Sequence, residues 1–200
     1  MRNWATHEFL ETNELLRKLT ADIEFHSFCA EMAQDQELRG MLQRHVQAMD
    51  QTYHQAIQLL QDKGANTAAA QARYSYSRQQ PHVGFQIPQP IPAPQTANVT
   101  RLSDVTIGTL ILNSHKAGSM FGMLWANECA DPEVRSFHVM CANNCERMAY
   151  EVWQYMNARG FYEVPIMPAN DVRMMSQTYQ PMNTGNAMEY TGFMNPHQMM

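Results

Sequence analysis

The chain carries one pattern twice. Glu31, Asp35, Glu37, Leu38 and Arg39 are matched by Glu128, Asp131, Glu133, Val134 and Arg135, with one residue fewer between the first acid and the aspartate in the second copy. From Asp35 onward each residue lies 96 positions before its counterpart (Asp35 to Asp131, Arg39 to Arg135). Both stretches close on a cation and a glycine, Lys63-Gly64 and Arg159-Gly160. Letter identity between the copies is low, and the apolar register carries the repeat. A unit of helix, tight turn, helix and glycine stop is an αα-hairpin. Two such hairpins joined by a long connection describe a four-helix bundle of the ferritin-like kind, so the expected fold class is all-α.

Apolar periodicity predicts helices over 6–33, 36–63, 103–129 and 132–159. The first shows Phe9, Leu16, Ile23 and Ala30 every seven residues, interleaved with Thr12, Leu19, His26 and Ala33. Thr6 is its expected N-cap. The second stripe is Leu38, Leu42, His45, Met49, Thr52, Ala56 and Leu60, ended by Gly64. The third starts at Ser103 and presents Ile107, Leu110, Ile111, Ser114, Ala117, Phe121, Leu124 and Trp125. The fourth opens on Asp131-Pro132 and carries Val134, Phe137, Cys141, Cys145, Met148, Val152 and Tyr155. Between the hairpins, residues 65–101 form a crossover with prolines at 88, 90, 92 and 94, which exclude helix and favour an extended chain. The expected organisation is a bundle over 1–165 and a tail over 166–200. The tail is rich in Met, Gln and Asn, shows no period, and is expected to be disordered.

Composition narrows the function classes. A net charge of −5 argues against nucleic acid as a partner, because phosphate binding needs a basic surface. No stretch approaches the roughly 20 apolar residues of a membrane helix, and the first residues show no signal-peptide pattern. No membrane insertion is expected. Cys29, Cys129, Cys141 and Cys145 fall inside helical patterns without zinc-ribbon spacing, so reduced, buried thiols are expected.

A ferritin-type di-metal centre needs inward glutamates and a Glu-x-x-His motif from each of two helices, and no Glu here is followed three residues later by His. Cys141 and Cys145 lie one turn apart, and His45 is the repeat counterpart of Cys141. These three are the only weak metal candidates, as ligands for a soft ion. The simpler reading makes the cysteines small core residues. Ser114 and His115 are adjacent and point about 100° apart on a helix, so they form no nucleophile–base pair. No catalytic residue, cofactor or bound metal is expected. Asn113, Ser114, His115, Asn143, Asn144, Glu128 and His26 nonetheless sit on or beside apolar faces. They read as a hydrogen-bonded network fixing the register of the last two helices, or as the relic of a metal site.

Three segments carry a resemblance: Leu112-Asn113-Ser114-His115-Lys116-Ala117-Gly118, the run from Cys141 to Asn157 (CANNCERMAYEVWQYMN), and Gly160-Phe161-Tyr162-Glu163-Val164-Pro165. Together they resemble the spore coat protein F family of endospore-forming bacteria, strongly over the last two helices and more weakly over the first two. The resemblance implies a ferritin-like helical fold in a structural component of the spore coat, with no catalytic residues to carry over. It implies synthesis in the mother cell, deposition on the forespore, and other coat proteins as partners, with a homo-oligomer expected. The alternatives are a ferritin-like metal-binding or redox protein, and a helical adaptor that docks a partner through its tail.

Overall fold

A computed structural model of the chain describes residues 3–62, 64, 80–84, 90–97 and 99–181. Four long helices form the bundle: α1 (Thr6–Met32), α2 (Gln36–Leu60), α3 (Asp104–Glu128) and α4 (Pro132–Ala158). α1 packs against α2 and α3 against α4, so two antiparallel hairpins make an all-α bundle. Lys63, most of the crossover and residues 182–200 lie outside the described residues.

The repeated letters turn out to be two copies of one corner. Asp35 caps α2 by accepting from the Glu37 N–H (2.8 Å), and Asp131 caps α4 by accepting from Glu133 and Val134 (2.8 and 3.2 Å). The arginine four residues after each cap turns back on the preceding helix. Arg39 donates to the carbonyls of Ala30 and Ala33 (3.3 and 2.7 Å), and Arg135 to the carbonyl of Ala126 (3.0 Å). Neither α1 nor α3 has a basic residue in its own last turn. The cation that belongs at a helix C-terminus is therefore supplied by the next helix. Gly64 and Gly160 both take left-handed backbone (φ 76° and 69°), but α2 ends earlier than expected, at Leu60, where Asp62 is itself left-handed (φ 61°) and its N–H reaches the Leu59 carbonyl (3.1 Å). At Gly160 the N–H of Phe161 reaches the Met156 carbonyl (2.8 Å) and that of Gly160 the Asn157 carbonyl (3.0 Å), a Schellman stop.

The hairpins lock reciprocally. Asp104, in the first turn of α3, accepts from the Gln34 and Asp35 N–H groups of the α1–α2 corner (2.9 and 3.0 Å). Glu8, in the first turn of α1 and 96 positions earlier, accepts from the Asp131 N–H of the α3–α4 corner and from the Ala5 N–H. α3 thus starts at the end where α2 starts, and the two run parallel, as a long crossover demands. Arg159 adds ion pairs to Asp35 and Glu37 (2.7 and 2.8 Å). Part of the crossover is pinned as well. The Asn157 side chain accepts from the His82 N–H (2.8 Å) and donates to the His82 and Tyr162 carbonyls, while the Gly84 N–H bonds to the Val164 carbonyl.

Three further expectations need correcting. The N-cap of α1 is Ala5, whose N–H is satisfied by Glu8, and Thr6 is already helical. The inward line of α1 is Glu8, Thr12, Leu15, Leu19, His26, Cys29 and Ala30, while Phe9 is exposed and Leu16 and Ile23 are half-buried. Consecutive leucines at 15 and 16 leave the phase ambiguous, and a buried Glu8 reads as a surface residue. In α3, Leu110, Phe121 and Leu124 face outward, and the core line is Val105, Ile107, Gly108, Ile111, Leu112, His115, Gly118, Gly122 and Ala126. Its glycines carry no apolar signal, yet they set the packing. A methyl group on Gly122 would lie 3.0–3.1 Å from the backbone of Ala142, and one on Gly118 would lie 2.7 Å from the Cys145 sulfur.

The described residues beyond Val164, 165–181, belong to a separate unit, in which α5 (Ala169–Ser176) is a short helix with no buried residue. It falls in the stretch expected to be without structure.

The glycines make a paired test. Ala normally exceeds Gly in a helix by about 1 kcal/mol. Gly40→Ala, where a new methyl meets only the flexible end of Arg44 at 3.8 Å, should raise stability by about 0.5–1 kcal/mol in urea unfolding. Gly122→Ala should lower it by about 1–3 kcal/mol, because the α4 backbone has to move.

Candidate functional site

The apolar core is in two parts. One cluster holds Cys29, Leu38, Leu42, Ile107, Ile111, Val152 and Met156; the other holds Leu15, Leu19, Met49, Leu59, Val134, Phe137 and Cys141. Between them lies a polar layer to which every helix of the bundle contributes: His26 from α1, His45 from α2, His115 from α3 and Glu151 from α4. All four are buried.

The ring nitrogens converge. His26 Nε2 is 3.0 Å from His115 Nε2, and His115 Nε2 is 3.3 Å from His45 Nδ1. The outer nitrogens of two rings have fixed partners. His26 Nδ1 lies 2.7 Å from the Asp22 carbonyl, an acceptor only, so that nitrogen carries the hydrogen. His45 Nε2 lies 3.0 Å from Glu151 Oε2, so it too carries the hydrogen. In neutral rings the inward atoms, His26 Nε2 and His45 Nδ1, are therefore bare lone pairs. His115 has no such orienting partner, and its Nδ1 is buried without a hydrogen bond.

Charged groups flank the layer in pairs. Glu151 also accepts from Arg44 (2.5 Å), and Asp22 accepts from Lys18 and from the Ser114 hydroxyl (2.9 Å). Burial raises the Glu151 carboxyl, but the bonds from His45 and Arg44 outweigh it and hold the group below its ordinary value. Burial pushes His26 down to about 4, reinforced by His45, and pushes His115 well below its usual value. A fourth buried ring, His138, lies outside the layer, 3.2 Å from the Thr12 hydroxyl, and burial takes it to about 4.

Of the residues singled out from sequence, His45 belongs to this layer. Cys141 packs in the apolar cluster with Leu15 and Met49, and Cys145 beside it. Burial raises both thiols, Cys145 to about 11 and Cys141 well above its usual value, so neither offers a thiolate. His26, His115 and Asn144 of the expected network are buried, whereas Asn113, Asn143 and Glu128 are exposed. The network joins all four helices rather than α3 and α4 alone. Glu151 and His138 were missed, since neither falls on the apolar stripe read for the fourth helix. Three imidazoles and one carboxylate do not supply the carboxylate-rich donor set of a ferritin-type di-metal centre. Among the described residues, the inward nitrogens of His26, His45 and His115, all within 4.8 Å of one another, form the group able to hold a metal ion.

The buried rings fix a pH dependence. The unfolded chain protonates its histidines below about 6.5, while folded His26 and His138 stay neutral to about 4. Protons therefore favour the unfolded state in that window, and stability falls as pH drops from 6.5 toward 4. Asp35 behaves alike at lower pH: burial raises its carboxyl, but the Glu37 N–H and Arg159 hold it below its ordinary 3.8, so its contribution is lost only beneath that. Urea midpoints of chelator-treated protein should decline between pH 6.5 and 4; a flat profile is inconsistent with neutral buried rings.

The comparisons bear on the second hairpin. Residues 103–165 match the Coat F domain, a span that runs from the N-cap of α3 to the end of the segment after α4. The chain is also 24% identical over 176 residues to the spore coat protein F-like protein YhcQ of Bacillus subtilis (strain 168), covering 88% of this chain and 80% of that protein. No solved structure gives a significant match. The α3–α4 hairpin with its closing segment is thus a Coat F domain, in a chain that has a spore coat protein F-like protein as a distant homologue.

Proposed function

We propose that this chain is a structural component of the bacterial spore coat, made in the mother cell and assembling through contacts with other coat proteins and with copies of itself, without catalysis. The Coat F domain and the homologue's name support the location. The observation that carries the assembly reading is the outer face of α3. Leu110, Ala117, Phe121 and Leu124 follow one line along the helix (i, i+7, i+11, i+14), and Phe121 and Leu124 are 47% and 55% exposed. α3 already buries its opposite side, so an apolar outer line leaves surface for a partner. A low charged fraction, 16%, weakens like-charge repulsion between neighbours.

The flanking residues Met120 and Met123 are also exposed, and flexible thioethers adapt to irregular partner surfaces. No described helix is long and apolar enough to cross a membrane. The competing reading, a metal-handling protein, draws on the imidazole layer and is compatible with a structural role.

A fluorescent fusion should encircle the forespore during sporulation, and diffuse mother-cell fluorescence would overturn the location. Phe121→Asp with Leu124→Asp should weaken self-association measured by light scattering at least about tenfold, a change of about 1.4 kcal/mol, while the thermal midpoint stays unchanged. Unaltered association shows that this face is not the contact.

A further inference from the structure

We propose that His26, His45 and His115 form a binding site for one divalent first-row transition-metal ion, of which zinc is the representative, coordinated through His26 Nε2, His45 Nδ1 and His115 Nε2. This goes beyond the coat reading and does not depend on it.

The argument rests first on hydrogen count. The Asp22 carbonyl and the Glu151 carboxylate hold the hydrogens of His26 and His45 on their outer nitrogens. Two lone pairs therefore face His115 Nε2, at 3.0 and 3.3 Å. Three inward nitrogens share at most the single hydrogen of His115, which cannot satisfy both neighbours in full. A buried acceptor without a donor costs about 1–3 kcal/mol. A cation takes the lone pairs of His26 and His45 and, with the His115 hydrogen carried on Nδ1 instead of Nε2, the His115 Nε2 lone pair as well.

Dimensions agree. Zinc–nitrogen bonds of about 2.0–2.1 Å in a tetrahedral site place neighbouring ligand atoms about 3.3 Å apart. The two separations at His115 lie at or just below that edge, and the whole set lies within 4.8 Å. The rings are also already oriented as metal ligands usually are. One is held by a backbone carbonyl and one by a carboxylate, the partners that fix tautomer and raise ligand basicity in established sites. Imidazole-only donor sets suit zinc, copper, nickel or iron rather than magnesium or calcium.

The surrounding charge is tolerable. Glu151 is paired with Arg44, whose side chain is 55% exposed, so water screens the guanidinium charge that opposes the ion. Lys18 opposes the ion but is paired with Asp22. Thiolate binding is disfavoured by the raised Cys141 and Cys145. Three protein ligands leave a fourth position for water or an anion, the pattern of an open rather than a closed site.

The test uses the full chain, stripped with chelator and titrated with zinc chloride alone. One zinc per chain should bind and raise the thermal midpoint, and cobalt(II) in its place should give the intense visible bands of a four-coordinate site. X-ray absorption at the zinc edge of the unmodified protein should show a nitrogen–oxygen shell with imidazole scattering. Sulfur in that shell, or no stoichiometric binding, overturns the proposal. His115→Gln should abolish binding, and Glu151→Gln should weaken it about 10–100-fold by releasing His45. His138→Gln, a buried ring outside the layer, should bind as the parent does. Parent-like binding by folded His115→Gln overturns the assignment, and if that variant fails to fold, the absorption edge of the parent still decides.

Discussion

Two carboxylates hold the halves of this molecule together. Glu8 and Asp104 sit at equivalent points of the repeat, each in the first turn of one hairpin, and each accepts from backbone N–H groups at the corner of the other. A corner exposes N–H groups that no helix can satisfy internally, and a buried unsatisfied donor is expensive. Each hairpin therefore completes the hydrogen bonding of its neighbour. The parallel arrangement of α2 and α3 and the level at which the four helices align follow from this exchange. So does the meeting of His26, His45, His115 and Glu151 at one height.

Much of the scaffold is legible in the amino-acid order because it depends on local chemistry. Asp35 and Asp131 are caps, Gly160 is a stop, and Arg39 and Arg135 are anchors for the helix before, whereas α2 stops at Leu60, ahead of Gly64. Spacing marks them as repeated positions, and the bonds at each corner show what the aspartates and arginines do there. What fails is phase. The choice between Leu15 and Leu16, or between Gly118 and Phe121, is made by the approach of another helix, and nothing local encodes it. Gly122 faces Ala142 because only a bare α-carbon lets α4 so close.

The polar layer was half visible. His26 and His45 occupy core positions of their stripes, nine residues before Asp35 and ten after it, which in an antiparallel hairpin is the same height. That symmetry about the corner is a usable signal. His115 and Glu151 join it only through docking of the second hairpin, which no spacing within one hairpin reports. The same layer separates the two apolar clusters, so a slip of one helix along another would bury an imidazole or a carboxylate in hydrocarbon. Such a penalty selects one register more sharply than interchangeable aliphatic side chains do.

The repeat is faithful in its backbone and unfaithful in its interior. The positions equivalent to His26 and His115 are Gly122 and Leu19, and the equivalent of His45 is Cys141. The first half brings two imidazoles and the second brings one, together with the acid that orients His45. Either half alone leaves an incomplete set. The layer is thus assembled only when both halves have closed on each other, which makes it a built-in reporter of correct docking, confined to one storey of a scaffold whose duplicated frame offers two.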